Sequence, residues 1–173
     1  MCGFIGEFNF KNIENKNLKF ANKRIVCRGP DNTQSHSYKS NNYSYNLIFN
    51  RLSIVDLSEN ANQPMTIEES NSTILFNGEI YNHKELKKEL VSKGAIFKSN
   101  HSDTEVVLNG LDIYGKNFIN KLRGQFAIVF IDNKNKKIVM ARDRVGQKPL
   151  YYYLADKHLV FSSNLISILE TLD

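Results

Sequence analysis

Short apolar runs with a two-residue period constrain the fold of this chain more than any other feature. The segment YSYNLIFN (residues 43–50) places Tyr, Tyr, Leu and Phe at alternate positions, which predicts a half-buried strand. GFIGEF (residues 3–8) predicts a short buried strand. Two further pairs of runs flank turn-like residues: FAIVFID and KIVMARD around DNKNK, and LYYYL and LVFSS around residues 155–157. Each pair predicts a hairpin, so we expect mainly antiparallel sheets.

Residues 72–82 (STILFNGEIYN) read as two strands around Asn77-Gly78. This dipeptide is typical of two-residue hairpin turns, because both residues tolerate a positive φ angle. The sequence therefore predicts a third hairpin whose turn is formed by Asn77 and Gly78.

Capping signals predict two helices after this segment. Asn82 precedes HKELKKELVSK, with Glu85 as its reciprocal capping partner. Gly94 ends that helix, and we expect its buried stripe to comprise Leu86, Leu90 and Val91.

Ser102 and Glu105 form a second capping pair, which starts a helix over TEVVLNGLDIY that closes near Gly115. A further helix is expected between about residues 14 and 26, ending before a loop that begins at RGPD. NLISILETL predicts a final helix.

Composition indicates one α+β domain over residues 1–173. A chain of 173 residues with 41% hydrophobic content can bury a single core without disulfides. The net charge of +5 comes from dispersed lysines, so we expect no nucleic-acid partner. No apolar run reaches membrane-spanning length and no export signal opens the chain, so a cytoplasmic location without membrane contact is predicted. Cys2 and Cys27 are expected to be free thiols, and a disulfide between them is the alternative.

Cys2 could become the first residue, because aminopeptidases remove Met1 when a small residue follows it. The thiol and the new α-amine would then lie on one residue, with ordinary pKa values of about 8.5 and about 7.7–8.0. A thiol that attacks an amide needs a nearby proton acceptor, which must afterwards protonate the departing ammonia. A terminal amine can perform both tasks. The pattern Met-Cys alone is weak, since many chains begin this way.

A series of motifs strengthens the hypothesis. In order they are MCGFIG, RGPD, NRLSIVDLS, QPM, FNGEIYNH, SDTEVVL, LRGQFA and ARDRVGQKPLYY. Together they resemble the glutaminase domain of the asparagine synthetase-like class II glutamine amidotransferases, over residues 1 to about 163. The resemblance implies an N-terminal-nucleophile hydrolase fold, a four-layer αββα sandwich of two antiparallel sheets between helices.

The resemblance also implies a set of site residues. Cys2 would be the nucleophile, and the Asn77 amide and the Gly78 N–H would stabilise the oxyanion. Arg51 would bind the α-carboxylate of glutamine, and Asp103 with Glu79 would bind its α-ammonium group.

Each assignment has a structural alternative: a hairpin turn at Asn77-Gly78, a solvated charge at Arg51, and a helix-dipole contact at Asp103. Residues 28–31 and 141–152 are expected to be architectural, with the arginines of the latter organising the core of the site.

The function implied is hydrolysis of glutamine to glutamate and ammonia through a γ-glutamyl thioester on Cys2. The ammonia would serve ATP-dependent asparagine synthesis or a related amidation in a synthetase domain or subunit that these residues do not include. No metal or cofactor is expected here, because ATP and Mg²⁺ belong to that synthetase domain. A silent glutamine-binding or scaffold module of the same fold is the alternative, and a redox thiol protein is a third. The sequence leaves the oligomeric state open, a homodimer included.

Overall fold

The computed structural model describes residues 1–10, 18–53, 59–99 and 101–172. The chain forms two compact units, one comprising Met1–Leu52 and Pro149–Asp173 and the other Ser53–Lys148. The sequence shows no change of composition at these boundaries. Each unit is built on one antiparallel sheet with its own helices, as the α+β prediction requires.

The first unit contains a five-stranded sheet in the order β2-β3-β1-β9-β8. Its strands are β1 Gly3–Asn9, β2 Asn32–Lys39, β3 Ser44–Arg51, β8 Tyr151–Ala155 and β9 His158–Ser162, and its helices are α1 Lys19–Asn22 and α4 Leu165–Leu172. The central strand β1 pairs with both β3 and β9 and is buried at every position. The predicted N-terminal strand, the β8–β9 hairpin and the final helix are therefore confirmed.

Three predictions for this unit need correction. Strand β3 is buried on both faces rather than half-buried. Ile48 belongs to a core cluster with Ile5 and Ala21 of α1, and Leu47 and Phe49 are also buried. The predicted helix at 14–26 is shorter in the described residues: α1 is followed by a 3₁₀ turn at Val26–Arg28, and residues 11–17 lie outside the described part. The loop predicted to begin at RGPD is followed directly by strand β2, in which half-buried and exposed residues alternate.

The second unit contains a four-stranded sheet in the order β4-β5-β6-β7. Its strands are β4 Met65–Ile67, β5 Ser72–Ile80, β6 Gly124–Asp132 and β7 Lys137–Arg142, and its helices are α2 His83–Ser92 and α3 Asp103–Tyr114. The helices pack on the sheet through a core that includes Phe76, Leu90, Leu111 and Ile128. The predicted β6–β7 hairpin is confirmed.

The predicted hairpin at Asn77-Gly78 is wrong. Strand β5 continues through both residues, and its pairing with β6 runs without interruption from Ser72↔Asp132 to Ile80↔Gly124. Gly78 is needed for close approach rather than for a turn, because a Cβ at this position would lie 2.2 Å from the carbonyl oxygen of Gln125.

The helix α2 begins after Asn82 and ends before Gly94, which has φ +88° and confirms the predicted C-terminus. The predicted side-chain cap is absent, because the Asn82 amide bonds to the backbone of Lys121 and Arg123 instead. Leu86 and Leu90 are buried as predicted, whereas Val91 is exposed.

The helix α3 has half of its predicted capping box. The Ser102 hydroxyl accepts a hydrogen bond from the Glu105 N–H at 3.3 Å. The Glu105 carboxylate does not return a bond to Ser102 but accepts from the N–H groups of Lys98 and Ser99 and from the Ser99 hydroxyl. Glu105 therefore fixes the loop that enters α3. Among the helices of the described ranges, none has the length and apolar character needed to cross a membrane.

Candidate active site

Cys2 lies directly before β1, and its thiol contacts the end of β3. The Leu52 N–H donates to Sγ at 3.3 Å, and Sγ donates to the Leu52 carbonyl oxygen at 3.6 Å. The Arg28 Nε donates to the Cys2 carbonyl oxygen at 3.1 Å. Cys2 is thus held at two points, its thiol by the Leu52 backbone and its carbonyl by Arg28. Cys2 and Cys27 are both free, as predicted.

Burial raises the pKa of the Cys2 thiol above its ordinary value. The Leu52 hydrogen bond, the positive terminal amine and the Arg51 charge oppose this shift but do not reverse it. The thiol form is therefore favoured at neutral pH, and nucleophilic attack would require a base to remove its proton.

Arg51 is the last residue of β3 and is buried, with 7% of its surface exposed. Pairing of Gly3 with Asn50 in the β1–β3 ladder brings the start of β1 to the end of β3. Cys2 and Arg51 are consequently neighbours within the first unit. A solvated surface charge at Arg51 is excluded by its burial, whereas a buried guanidinium is well suited to bind a carboxylate.

Asn77 lies in the middle of β5 with only 2% of its surface exposed. Within the described ranges, its amide nitrogen Nδ2 has no hydrogen-bond partner. Buried polar groups in folded proteins are almost always paired, and within the described residues Asn77 Nδ2 shares its unpaired state with Ser70 Oγ, Ser167 Oγ and Glu170 Oε2. A ligand oxygen can accept a hydrogen bond from this amide donor. By strand alternation Asn77 and Glu79 share one face of the sheet, while Phe76 and Ile80 belong to the core on the other.

The backbone of β5 presents a second donor at its edge. The N–H groups of alternate residues in a strand point to the same side. The Phe76 N–H donates to Gln63 and the Ile80 N–H to Asp103, both on the side away from β6. The Gly78 N–H lies between them on this edge, beyond the point where β4 pairing stops at Met65↔Ile74.

Asp103 is the first residue of α3 and is buried, with 8% of its surface exposed. Its Oδ2 accepts from the Ile80 N–H at 3.0 Å. Burial raises the pKa of Asp103, and the Ile80 hydrogen bond and the nearby His83 oppose the rise. No basic side chain of the described residues forms a salt bridge with it. A buried carboxylate without a counter-ion can receive a cationic ligand.

The site residues predicted from the sequence form two groups, one in each compact unit. Cys2 and Arg51 are neighbours in the first unit. The other group lies in the second unit and comprises Asn77, Gly78, Glu79 and Asp103. The Asp103 carboxylate is joined to β5 at Ile80, the residue after Glu79. The Glu79 side chain is exposed. Residues 54–58 of the motif NRLSIVDLS lie outside the described part of the chain.

Two supporting side chains near these groups were not predicted from the sequence. Arg28 donates a hydrogen bond to the Cys2 carbonyl oxygen, whereas residues 28–31 were predicted only to be architectural. Gln63 bonds to both β5 and α3. Its only signal in the sequence was its place in the motif QPM.

The segment 141–152 is architectural, but its organising residue differs from the prediction. The arginines Arg142 and Arg144 are exposed, whereas the buried Asp143 accepts four backbone hydrogen bonds. These come from the N–H groups of Phe126, Val145, Gln147 and Lys148. In the portion of the chain that the structure describes, no group of three or more His, Cys, Asp or Glu is arranged to hold a metal ion.

Solved structures with a similar backbone define the fold class. The chain matches the structure of the allosteric regulatory enzyme of purine biosynthesis with a TM-score of 0.75 and 17% sequence identity, over 98% of this chain and 43% of that one. The glutamine phosphoribosylpyrophosphate amidotransferase of Bacillus subtilis gives a TM-score of 0.72 with the same identity and coverage. The predicted N-terminal-nucleophile fold class is confirmed.

Sequence comparisons give the family. The chain is 41% identical to asparagine synthetase [glutamine-hydrolyzing] 1 of Bacillus subtilis, over 98% of this chain and 27% of that protein. It is 35% identical to the putative asparagine synthetase [glutamine-hydrolyzing] 2 of Methanocaldococcus jannaschii, over 98% of this chain and 35% of that protein. The chain thus spans about a quarter to a third of the length of these relatives. The sequence model of the glutamine amidotransferase domain matches residues 1–173, and the chain belongs to this family.

Proposed function

We propose that this domain hydrolyses the side-chain amide of glutamine, with Cys2 as nucleophile. The observation that carries the proposal is the buried Asn77 amide, whose Nδ2 has no hydrogen-bond partner within the described residues. Leaving a buried donor unpaired costs on the order of 1–3 kcal/mol, and such a cost is expected where a ligand oxygen completes the bond. Membership of the glutamine amidotransferase domain family supports the same conclusion.

The amino-acid end of glutamine is bound by charge. The Arg51 guanidinium pairs with the α-carboxylate, and the buried Asp103 carboxylate pairs with the α-ammonium group. Glu79 contributes a second negative charge beside Asp103. These contacts orient the side-chain amide toward the Cys2 sulfur, which reduces the entropic cost of the reaction.

The reaction proceeds through a covalent intermediate. The Cys2 sulfur attacks the amide carbon, and the carbonyl oxygen becomes an oxyanion that accepts hydrogen bonds from Asn77 Nδ2 and the Gly78 N–H. The C–N bond then breaks, ammonia leaves, and a γ-glutamyl thioester remains on sulfur. Water cleaves the thioester to release glutamate and restore the thiol.

The proton acceptor is the α-amine of Cys2 itself, which is free once Met1 has been removed. It takes the thiol proton during attack and delivers a proton to the departing ammonia. The raised pKa of the Cys2 thiol makes such a base necessary at neutral pH. In the structure Met1 is present, with a relative exposure of 53%.

The ammonia passes to an acceptor outside these residues. The relatives named asparagine synthetase are about three to four times longer than the matched segment, which supports an ATP-dependent synthetase domain or subunit as the partner. ATP and Mg²⁺ belong to that partner, and the glutaminase step needs no cofactor. The location proposed is the cytoplasm.

The test is a glutaminase assay on protein whose intact mass shows that Met1 is absent. Processed protein is expected to release glutamate and ammonia from glutamine, and Cys2→Ala is expected to lose at least about 10⁴-fold in kcat. Asn109→Ala serves as a control, since Asn109 is a buried asparagine in α3 outside the site. Full activity of processed Cys2→Ala would refute the mechanism, and inactivity of the processed wild type would favour the scaffold alternative.

A further inference from the structure

The Gln63 side chain makes the two hydrogen bonds that one further backbone pair of the β4–β5 ladder would make. The β4–β5 ladder stops at Met65↔Ile74, and the next hydrogen-bonded pair in that register would join residues 63 and 76. Instead, the Gln63 amide makes both bonds: Oε1 accepts from the Phe76 N–H at 2.6 Å, and Nε2 donates to the Phe76 carbonyl oxygen at 3.0 Å.

The same amide reaches the first turn of α3. Nε2 also donates to the Thr104 hydroxyl at 3.2 Å. Gln63 therefore joins β5 one residue before Asn77 to α3 one residue after Asp103. Its side chain is buried, with 5% of the residue exposed, so water does not compete for these bonds.

The position of Gly78 gives this bridge a chemical meaning. On the edge of β5, Gln63 occupies the N–H of Phe76 and Asp103 occupies the N–H of Ile80. The Gly78 N–H lies between these two points, and Asn77 lies between Phe76 and Gly78 in the strand. Gln63 and Asp103 thus hold β5 at the two ends of the segment that carries the Asn77 and Gly78 donors.

We propose that Gln63 is a positioning residue for glutamine hydrolysis, which aligns the Asn77 and Gly78 donors through Phe76 and the Asp103 carboxylate through Thr104. This inference rests on the proposed function. Misplacement of a preorganised group by about 1 Å can cost on the order of a hundredfold in rate. Loss of the Phe76 bonds is therefore expected to act mainly on kcat, and loss of the Thr104 bond mainly on KM for glutamine.

Two substitutions separate these effects. Gln63→Ala removes all three bonds and is expected to lower kcat by about tenfold to a hundredfold. Thr104→Val removes only the hydroxyl and is expected to raise KM by about fivefold with a smaller change in kcat, whereas Thr104→Ser restores the wild-type KM. Leu90→Val, a core substitution in α2, controls for lost stability and should leave both constants unchanged below its melting temperature.

Gln63→Glu keeps the inference testable if Gln63→Ala does not fold. A carboxylate at this position can accept from the Phe76 N–H but cannot donate to the Phe76 carbonyl, whereas the protonated acid can do both. The ratio of its kcat to that of the wild type should therefore rise as the pH falls from about 8 to about 6, because a buried carboxyl has a raised pKa.

The outcomes distinguish this inference from the proposed function. The positioning role would be overturned by wild-type kcat and KM in Gln63→Ala, or by a kcat ratio of Gln63→Glu to wild type that does not change with pH. In either case an inactive Cys2→Ala would still support the proposed glutaminase. Full activity of Cys2→Ala would overturn both.

Discussion

At the scale of single residues, the proposed function gives a partner to two buried polar groups, the Asn77 amide and the Asp103 carboxylate. Asn77 keeps an amide donor without a partner within the described residues, and the buried Asp103 carboxylate forms no salt bridge there. Both arrangements cost free energy in the unliganded protein, because buried polar and charged groups lose their hydration. Glutamine would supply the carbonyl oxygen that the first requires and the ammonium group that the second requires.

Asn77→Ala is expected to lower kcat by about a hundred- to a thousandfold with little change in KM, because the oxyanion exists only in the transition state. The measurement is steady-state release of glutamate by processed protein. Asn109→Ala, which removes a bonded amide from α3, should retain wild-type kcat. A drop in kcat of less than about threefold for Asn77→Ala would exclude the oxyanion role.

The raised pKa of Asp103 predicts a pH dependence of KM. Only the ionised carboxylate attracts the α-ammonium group, so KM should rise as the pH falls through the pKa of Asp103, which lies above the ordinary value of about 3.9. Asp103→Asn should have a high KM without this acidic increase. Measuring KM for glutamine over a pH series in both proteins is the test, and the same acidic increase in Asp103→Asn would assign it to another group.

At the scale of elements, the sequence predicted strands and helices better than it predicted their ends. The alternation in residues 43–50 and the capping serine Ser102 are local signals, and the elements they predict are present. The Asn77-Gly78 hairpin was wrong because the dipeptide's preference for turns is overridden by nine consecutive pairs with β6. Gln63 could not be found from local patterns, since its role depends on where β4 stops pairing and on a contact with α3 forty-one positions away.

Gly78→Ala tests the view that this glycine serves a close strand contact. The added Cβ would meet the Gln125 carbonyl at 2.2 Å, which the backbone cannot easily avoid, so the free energy of unfolding should fall by about 1–3 kcal/mol. Gly3→Ala is the matched control, because the nearest atoms to its added Cβ, in the Arg28 side chain at 3.1 Å and the Ile25 carbonyl at 3.2 Å, leave it more room. Urea unfolding compares the two. An equal or smaller loss at Gly78 would contradict the contact.

The lowered pKa of Asp143 indicates how the stability of the β6–β7 region should depend on pH. Burial raises its pKa, but four backbone N–H donors outweigh this and hold the pKa of Asp143 below its ordinary value. The folded state therefore binds fewer protons than the unfolded state, and the stabilisation is present above about pH 3.9 and is lost as the pH falls through the folded pKa.

Asp143→Asn should lower the free energy of unfolding by on the order of 1–3 kcal/mol at neutral pH, because one oxygen acceptor is replaced by a donor. The difference from wild type should shrink in acid. Urea unfolding between about pH 3 and pH 7 measures it. A difference that stays constant over this range would show that the charge of Asp143 is not what stabilises the turn.

At the scale of the whole molecule, the fold class and the family were both accessible from linked motifs spread along the chain. No single motif would have sufficed: the Met-Cys start is common, and Arg51 and Asp103 each have an ordinary structural explanation. The division of these groups between two compact units was not visible in composition. Cys2 and Arg51 belong to one unit, and Asn77, Gly78, Glu79 and Asp103 belong to the other.

The most direct test of the account compares two forms of the protein. In the processed form, the intact mass shows that Cys2 is the first residue. The extended form carries an added Met-Lys before Cys2, so the thiol remains but the Cys2 amine is part of a peptide bond. The processed form is expected to hydrolyse glutamine, and the extended form is expected to be inactive at neutral pH with its thiol intact by mass. Equal turnover by the extended form would contradict the claim that one terminal residue supplies both the nucleophile and its base.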